Sequence, residues 1–252
     1  MAFPLRDTAA AAGSKANRPL DRYVYAVLAA AFALVVFAGF SKTYYLKALF
    51  GGPPLPSATV HLHGLVMTSW VLLFAVQVAL ISSRRVRVHQ RLGYASIALA
   101  VLIVVIGLRT ALEAARHGSL STPVGFSEPT FSIVPLGDLL LFMMLYGGAV
   151  YYRRMPSRHK SLMFLTAINF MPPAIGRLPF DVVRAYPVVF GLGVPVVLTL
   201  AVLALDWRKR RRFDGVVVTA AVIFIVSFPL RIALVSTPAW TRAATWLASL
   251  VD

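Results

Sequence analysis

Seven apolar stretches, at residues 23–41, 62–82, 92–111, 134–152, 161–176, 186–206 and 215–235, take up most of this 252-residue chain. An α-helix needs about 20 residues to cross about 30 Å of hydrocarbon, and all but the fifth stretch reach that length. Lipid offers the main chain no hydrogen-bond partner, so each stretch must satisfy its own N–H and C=O groups as a helix. The fold expected is all-α: a polytopic membrane helix bundle of about seven transmembrane helices. A mean hydropathy of +0.77 excludes an ordinary soluble domain. The chain then divides into a disordered cytoplasmic tail at 1–22, without a cleavable signal peptide, a membrane domain at 23–235, and an outer interfacial tail at 236–252. Trp240, Trp246, Leu247 and Leu250 suit that last tail to a short helix lying in the interface.

The charges set the expected orientation. Seventeen of the 25 Lys and Arg residues lie in the N-terminal tail or in three tight turns: Arg84–Arg91, Arg153–Lys160 and Arg208–Arg212. With seven spans all four groups share one side, and positive charge is retained in the cytoplasm, so the N-terminus is inside and the C-terminus outside. The net charge of +16 is met by anionic lipid headgroups, at about 1 kcal/mol for each basic residue near the surface. Nucleic acid is not an expected partner. Gly147-Gly148 and the Gly191 and Gly193 pair suggest close helix contacts.

Chemistry is bounded by what is missing. There is no cysteine, hence no disulfide, thiolate metal site or cysteine nucleophile. No glycine-rich phosphate loop precedes a lysine, no His-Glu-x-x-His occurs, and the last span has no lysine to carry retinal. Whether the chain is an enzyme stays open.

Three sets of residues carry candidate chemistry. On the second span His63, Met67, Trp70, Phe74 and Gln77 step by four and three, so a helix puts them on one face, and a polar stripe in a membrane helix faces protein or a cavity. With Asp138, Asn169, Arg177 and Arg231, the residues Met67, Trp70 and Gln77 would line an outward-facing ligand pocket. Asp138 is expected to pair with Arg177 or Arg231. In the second set, His61 and His63 supply two imidazoles to a transition metal if His61 lies in the loop before the helix, with His117 in the next outer loop as a third nitrogen. In the third, His89 and His159 open the third and fifth spans at the cytoplasmic side. If those helices are neighbours, the two rings face each other and hold a haem b through both axial positions, with Tyr94, Met143, Tyr146, Met163 and Phe164 around it.

The turns before those two histidines are alike: Arg84-Arg85 leads to His89, and Arg153-Arg154 to His159. That fits a tandem repeat of hairpins, spans 2–3 and 4–5, about an axis along the membrane normal.

The strings His61-Leu-His63-Gly, His89-Gln-Arg-Leu-Gly93 and Arg158-His159-Lys-Ser-Leu-Met163, with Phe40 to Tyr45, Trp70 and Gln77, resemble a group of uncharacterised bacterial multi-pass inner-membrane proteins. The His-Lys-x-Leu-Met element also looks like one in small membrane proteins associated with assembly of haem-copper oxidases. The resemblance implies a bacterial inner (plasma) membrane protein and names no reaction. The functions expected are a haem- or metal-binding protein serving redox chemistry or respiratory assembly, a small-ligand transporter or receptor-like protein, or an accessory subunit partnered with a larger membrane complex.

Overall fold

The computed structural model describes residues 18–52, 54–55, 57–118 and 127–251, so residues 1–17 of the expected tail and most of the 118–127 connection lie outside it. Among the described residues there is helix and no strand. Long helices α1 (Arg18–Phe40), α2 (Ala58–Ser82) and α3 (Val86–His117) come first. After the short α4 (Glu128–Phe131) come α5 (Ile133–Tyr151), α6 (Pro156–Asn169) and the single turns α7 (Pro172–Ile175) and α8 (Asp181–Ala185). The chain finishes with α9 (Pro187–Arg210), α10 (Gly215–Leu234) and α11 (Pro238–Ala248). Residues 18–22, expected in the tail, form the first turn of α1.

The helix ends follow local chemistry. The Ser57 side chain accepts from the Val60 N–H, the Asp214 carboxylate from Val216 and Val217, and the Thr237 hydroxyl from Trp240, so three helices start on a capping side chain. Proline stands in the first turn of α6, α9 and α11, where its missing N–H costs nothing. Between α2 and α3 the chain reverses through Arg84, and between α9 and α10 through Arg211, both left-handed at φ 63° and 56°. Such tight turns place the arginines together at one end of the bundle.

Six helical stretches are long and apolar enough to cross a membrane: Val24–Tyr45, Ala58–Ser82, Val86–His117, Pro129–Tyr151, Val189–Arg210 and Gly215–Leu234. Their outward faces carry exposed Leu34, Leu72, Val101, Leu140, Val197 and Val226, so the outside is as greasy as the core. A water-soluble bundle would present polar residues there; this is the architecture of a multi-pass membrane protein.

The fifth apolar stretch differs from the others. It is α6, only 14 residues long, stopped before Pro172-Pro173 and resumed as the turn α7. Every residue from Ser161 to Asn169 except Met163 is buried. At the basic end Ser157 donates to Asp206 of α9 and Lys160 lies 3.6 Å over the Tyr25 ring of α1. At the other end Asn169 donates to the Asp138 carbonyl of α5, and the α7 backbone at Ala174 runs so close to Gly39 that a Cβ there has no room. One cluster centred on α1, α6 and α9 takes in Tyr25, Phe32, Phe74, Phe164 and Leu165; a second joins α2, α3 and α5 through Trp70, Ile103 and Phe142. The glycines expected to bring helices together mostly do not: a Cβ on Gly147, Gly191 or Gly193 would meet nothing, and only Gly148 faces a side chain, Leu162.

Candidate functional site

His89 and His159 each occupy the fourth position of their helices, α3 and α6, with their N–H groups bonded to Arg85 and Met155. The tight turns bring the two rings together at the basic end, centroids 6.2 Å apart and planes at 80°. The His159 Nδ1 lies 2.8 Å from the Ala149 carbonyl. A carbonyl only accepts, so Nδ1 carries the proton and Nε2 keeps its lone pair, the arrangement that prepares a histidine for a metal. Metal–nitrogen bonds of about 2.0–2.1 Å put two opposed imidazole centroids about 6 Å apart. The centroid spacing is the one that two imidazoles on a single metal would need, while the planes meet edge-on at 80° and the Gln77 main chain also hydrogen-bonds the His89 ring.

The expected surround is only partly present. Tyr94 is 72% exposed and Met143 43%, so both face outward, and Phe164 belongs to the other cluster, against Tyr25 and Phe74. Tyr146 is buried and its hydroxyl meets that of Ser96 at 2.7 Å, and Met163 touches both clusters.

The α2 stripe leads inward from this pair. Trp70 is 1% exposed, packed edge-on against Phe142 and Tyr146. It fills the bundle; it does not floor a pocket. The Trp70 Nε1, Gln77 Oε1, His63 Nδ1 and His89 Nδ1 are buried with no partner among the described residues. Leaving a buried donor or acceptor unmade costs about 1–3 kcal/mol, so Trp70, Gln77 and His89 along one seam are a heavy burden on packing alone, with His63 a separate case near the other end of α2. Met67 packs beside Trp70.

At the other end of the bundle, Arg231 of α10 donates to the Asp138 carboxylate at 2.7 Å and to the Val134 carbonyl, lying across Gly137 where no Cβ fits. Asn169 donates to the Asp138 main-chain carbonyl at 2.9 Å. Asp138, Asn169 and Arg231 therefore converge, as the sequence suggests, and Arg231 is the partner. Arg177 donates instead to the Pro173 carbonyl and stacks on Phe40.

The imidazoles of the second set do not assemble. Because α2 starts at Ala58, His61 is helical and not in a loop, so its side chain diverges from that of His63 by about 200°. Tyr44 donates to the His61 carbonyl and meets its Nδ1 at 3.4 Å. His117 is the exposed last residue of α3. No three His, Asp or Glu side chains among the described residues come together as a metal site would need.

Sequence reasoning missed a cluster at the basic end. Asp206 accepts from Ser157 and Arg210, and Asp214 accepts from Arg158, Arg210 and the N–H groups of Val216 and Val217. Burial alone would raise the Asp214 carboxyl, but the Arg158 hydrogen bond, the Val217 N–H and the charges of Arg210 and Arg158 together hold it below the ordinary carboxylate range. The signal available was Asp206 with Arg210 and Arg210 with Asp214, each four residues apart. Glu113 was also missed: it accepts from Ser57, Thr59 and Arg109, tying the start of α2 to the end of α3.

Open surface hollows lie on α11 around Thr241 and Trp246, and beside Ser157 and Arg210; neither is lined by a residue of the α2 stripe. Comparison with protein-family models, with curated proteins and with solved structures finds no match to this chain.

Proposed function

We propose that this is a seven-span bacterial plasma-membrane protein that holds a transition-metal centre between His89 and His159, as haem b iron or as a bare ion. It would serve redox chemistry or the assembly of a respiratory complex. The observation that carries this reading is the neighbouring pair itself: ring centroids 6.2 Å apart, with the His159 tautomer set by the Ala149 carbonyl. Imidazole suits iron, copper, nickel and zinc, and the first two supply one-electron chemistry. The chain's own part is to orient the rings, through the first turns of α3 and α6, and to keep the site beside a buried, hydrogen-bonding seam.

Seven crossings are supported by the ties at both ends of α6–α7, which run from Asp206 at the basic end to Asp138 and Gly39 at the other. An odd number keeps the basic turns on one side, the cytoplasm, and sends the C-terminus out. The matching fourth-residue histidines after matching arginine turns support a duplicated hairpin.

The test is an absorption spectrum of the detergent-purified protein, oxidised and then reduced, with elemental analysis of the same sample. A Soret band that shifts on reduction, or about one metal per chain, lost in His89→Ala and His159→Ala, is the expected result. A colourless, metal-free protein from cells supplied with haem and metals ends this reading.

A second reading is favoured by the convergence of Asp138, Asn169 and Arg231. A small-ligand transporter or receptor would lose ligand binding in Asp138→Asn or Arg231→Gln, while the histidine variants stayed mild.

A further inference from the structure

We propose that the inside of this bundle is a gated path for protons, with a hydrogen-bonding half at the basic end, an apolar gate in the middle and the Asp138–Arg231 group beyond it. Its residues change character together. On α3 His89, Gly93 and Ser96 share a face by steps of four and three, and the same face continues as Ala100, Ile103 and Gly107. On α2 Gln77 and Trp70 give way to Val66. On α5 Tyr146 gives way to Phe142 and Leu139. Three helices thus turn from polar to apolar, and Val66, Ala100, Ile103, Leu139 and Phe142 close into one buried cluster with Trp70 and Tyr146 at its polar border.

The polar half is built to carry hydrogen bonds. Ser96 donates to the Gly93 carbonyl and meets the Tyr146 hydroxyl at 2.7 Å, and Tyr146 packs on Trp70. A Cβ built on Gly93 would meet only the Gln77 amide nitrogen, at 4.0 Å, so this glycine leaves room beside the carboxamide. Trp70 Nε1, Gln77 Oε1 and His89 Nδ1 are three of the six buried side-chain atoms without a partner among the described residues. Buried polar groups without a protein partner are completed by single waters, which need little room and two or more polar partners. Along such a file a proton accepted at one end is matched by one released at the other, and no other bond changes.

The gate is apolar. Ile103 and Phe142, 0% and 1% exposed, offer no donor or acceptor, and a constriction of that kind holds a file of water apart until it is wetted. Past it, Asp138 begins one turn from Phe142, held by Arg231 and backed by Asn169. The path shares His89 with the reading above but needs no metal there.

Full-length protein in liposomes, with a trapped pH-sensitive dye and a potassium gradient discharged through valinomycin, gives the test. The potassium current balances the charge that protons carry. Ile103→Ser, which puts a hydroxyl in the gate, is expected to raise proton entry at least about tenfold over the wild type. Adding Gln77→Leu to that variant is expected to return entry to the wild-type level. Ala100→Ser, a smaller change one turn closer to Ser96, gives the same readout if Ile103→Ser does not fold. Folded gate variants, by circular dichroism and gel filtration, in vesicles as tight as the wild type's would overturn the path. So would an Ile103→Ser, Gln77→Leu protein that leaks as freely as Ile103→Ser alone. Metal content of the same samples bears on the metal centre and leaves the flux result untouched.

Discussion

Two groups of buried polar side chains lie within a few helical turns of each other, and they are finished differently. Around Asp206 and Asp214 donors converge on the carboxylates from α6, α9 and the start of α10. Along the seam of Trp70, Gln77 and His89, a buried atom of each side chain has no partner among the described residues. Inside a low-dielectric bundle a satisfied network is cohesive and an unsatisfied one is costly. The first group therefore reads as a latch that holds three helices at the basic end. The second is tolerable only if something else completes it, and that is where function is to be sought.

The largest effect should come from opening the latch. Asp214→Ala removes the α10 cap, strands Arg158 and leaves Arg210 with Asp206 alone, and breaking a buried pair of this kind costs about 3–5 kcal/mol. Chemical denaturation in detergent should show it as a lowered midpoint, while His159→Ala, which strands no charge, should unfold close to the wild type. If the histidine variant proves the more destabilised, the division between latch and seam fails.

Arg231→Gln tests whether the Asp138 pair belongs with the latch. It leaves a carboxylate inside the bundle with its cation gone, and a loss of about 3 kcal/mol is expected. Asp138→Asn together with Arg231→Gln should recover most of that loss, because the stranded charge is gone. A double variant as unstable as Arg231→Gln would mean that Arg231 acts through its other bonds, to the Val134 and Ser227 carbonyls.

The latch also has a sign in pH. The Asp214 carboxyl is held below its unfolded value of about 3.9, so its contribution is full above that value. It is lost only as pH falls through the lower, folded value. The stability gap between wild type and Asp214→Asn should stay constant from pH 7 to about 5 and narrow below about 4. A gap that widens toward acid would reverse the assignment.

How much of this could be read in advance differs by region. The helices were legible because lipid demands length and hydropathy, and the pairing of Asp138 with an arginine because a lone charge there is unaffordable. His89 and His159 were legible because two similar turns deliver both to the same end. The latch was not. Arg158 and Arg210 stand in runs of basic residues that match a headgroup-facing turn, and only the folded chain shows Asp206 and Asp214 turned inward to meet them. The position of His61 was misjudged for a local reason, since Ser57 caps α2 a full turn earlier than the apolar run begins. The break of the fifth stretch was announced by Pro172-Pro173, but its burial depends on α1, α5 and α9 closing around it.

The smallest expected effect is the one that best separates the two groups. Gln77→Leu removes a carboxamide whose oxygen has no partner among the described residues and replaces it with an apolar side chain of similar size. If that oxygen were simply unpaired, leucine should stabilise the fold by about 1–3 kcal/mol, the cost of the unmade bond. If water completes it, the wild type bears no such cost and the substitution should fall within about 0.5 kcal/mol of neutral. Near-neutral unfolding, together with reduced proton entry in the gate-opened background, is therefore the outcome that makes the seam a working part. A clear gain in stability with flux unchanged would return Gln77 to the status of a poorly packed residue, and would leave the latch as the one buried polar group in this comparison with an evident purpose.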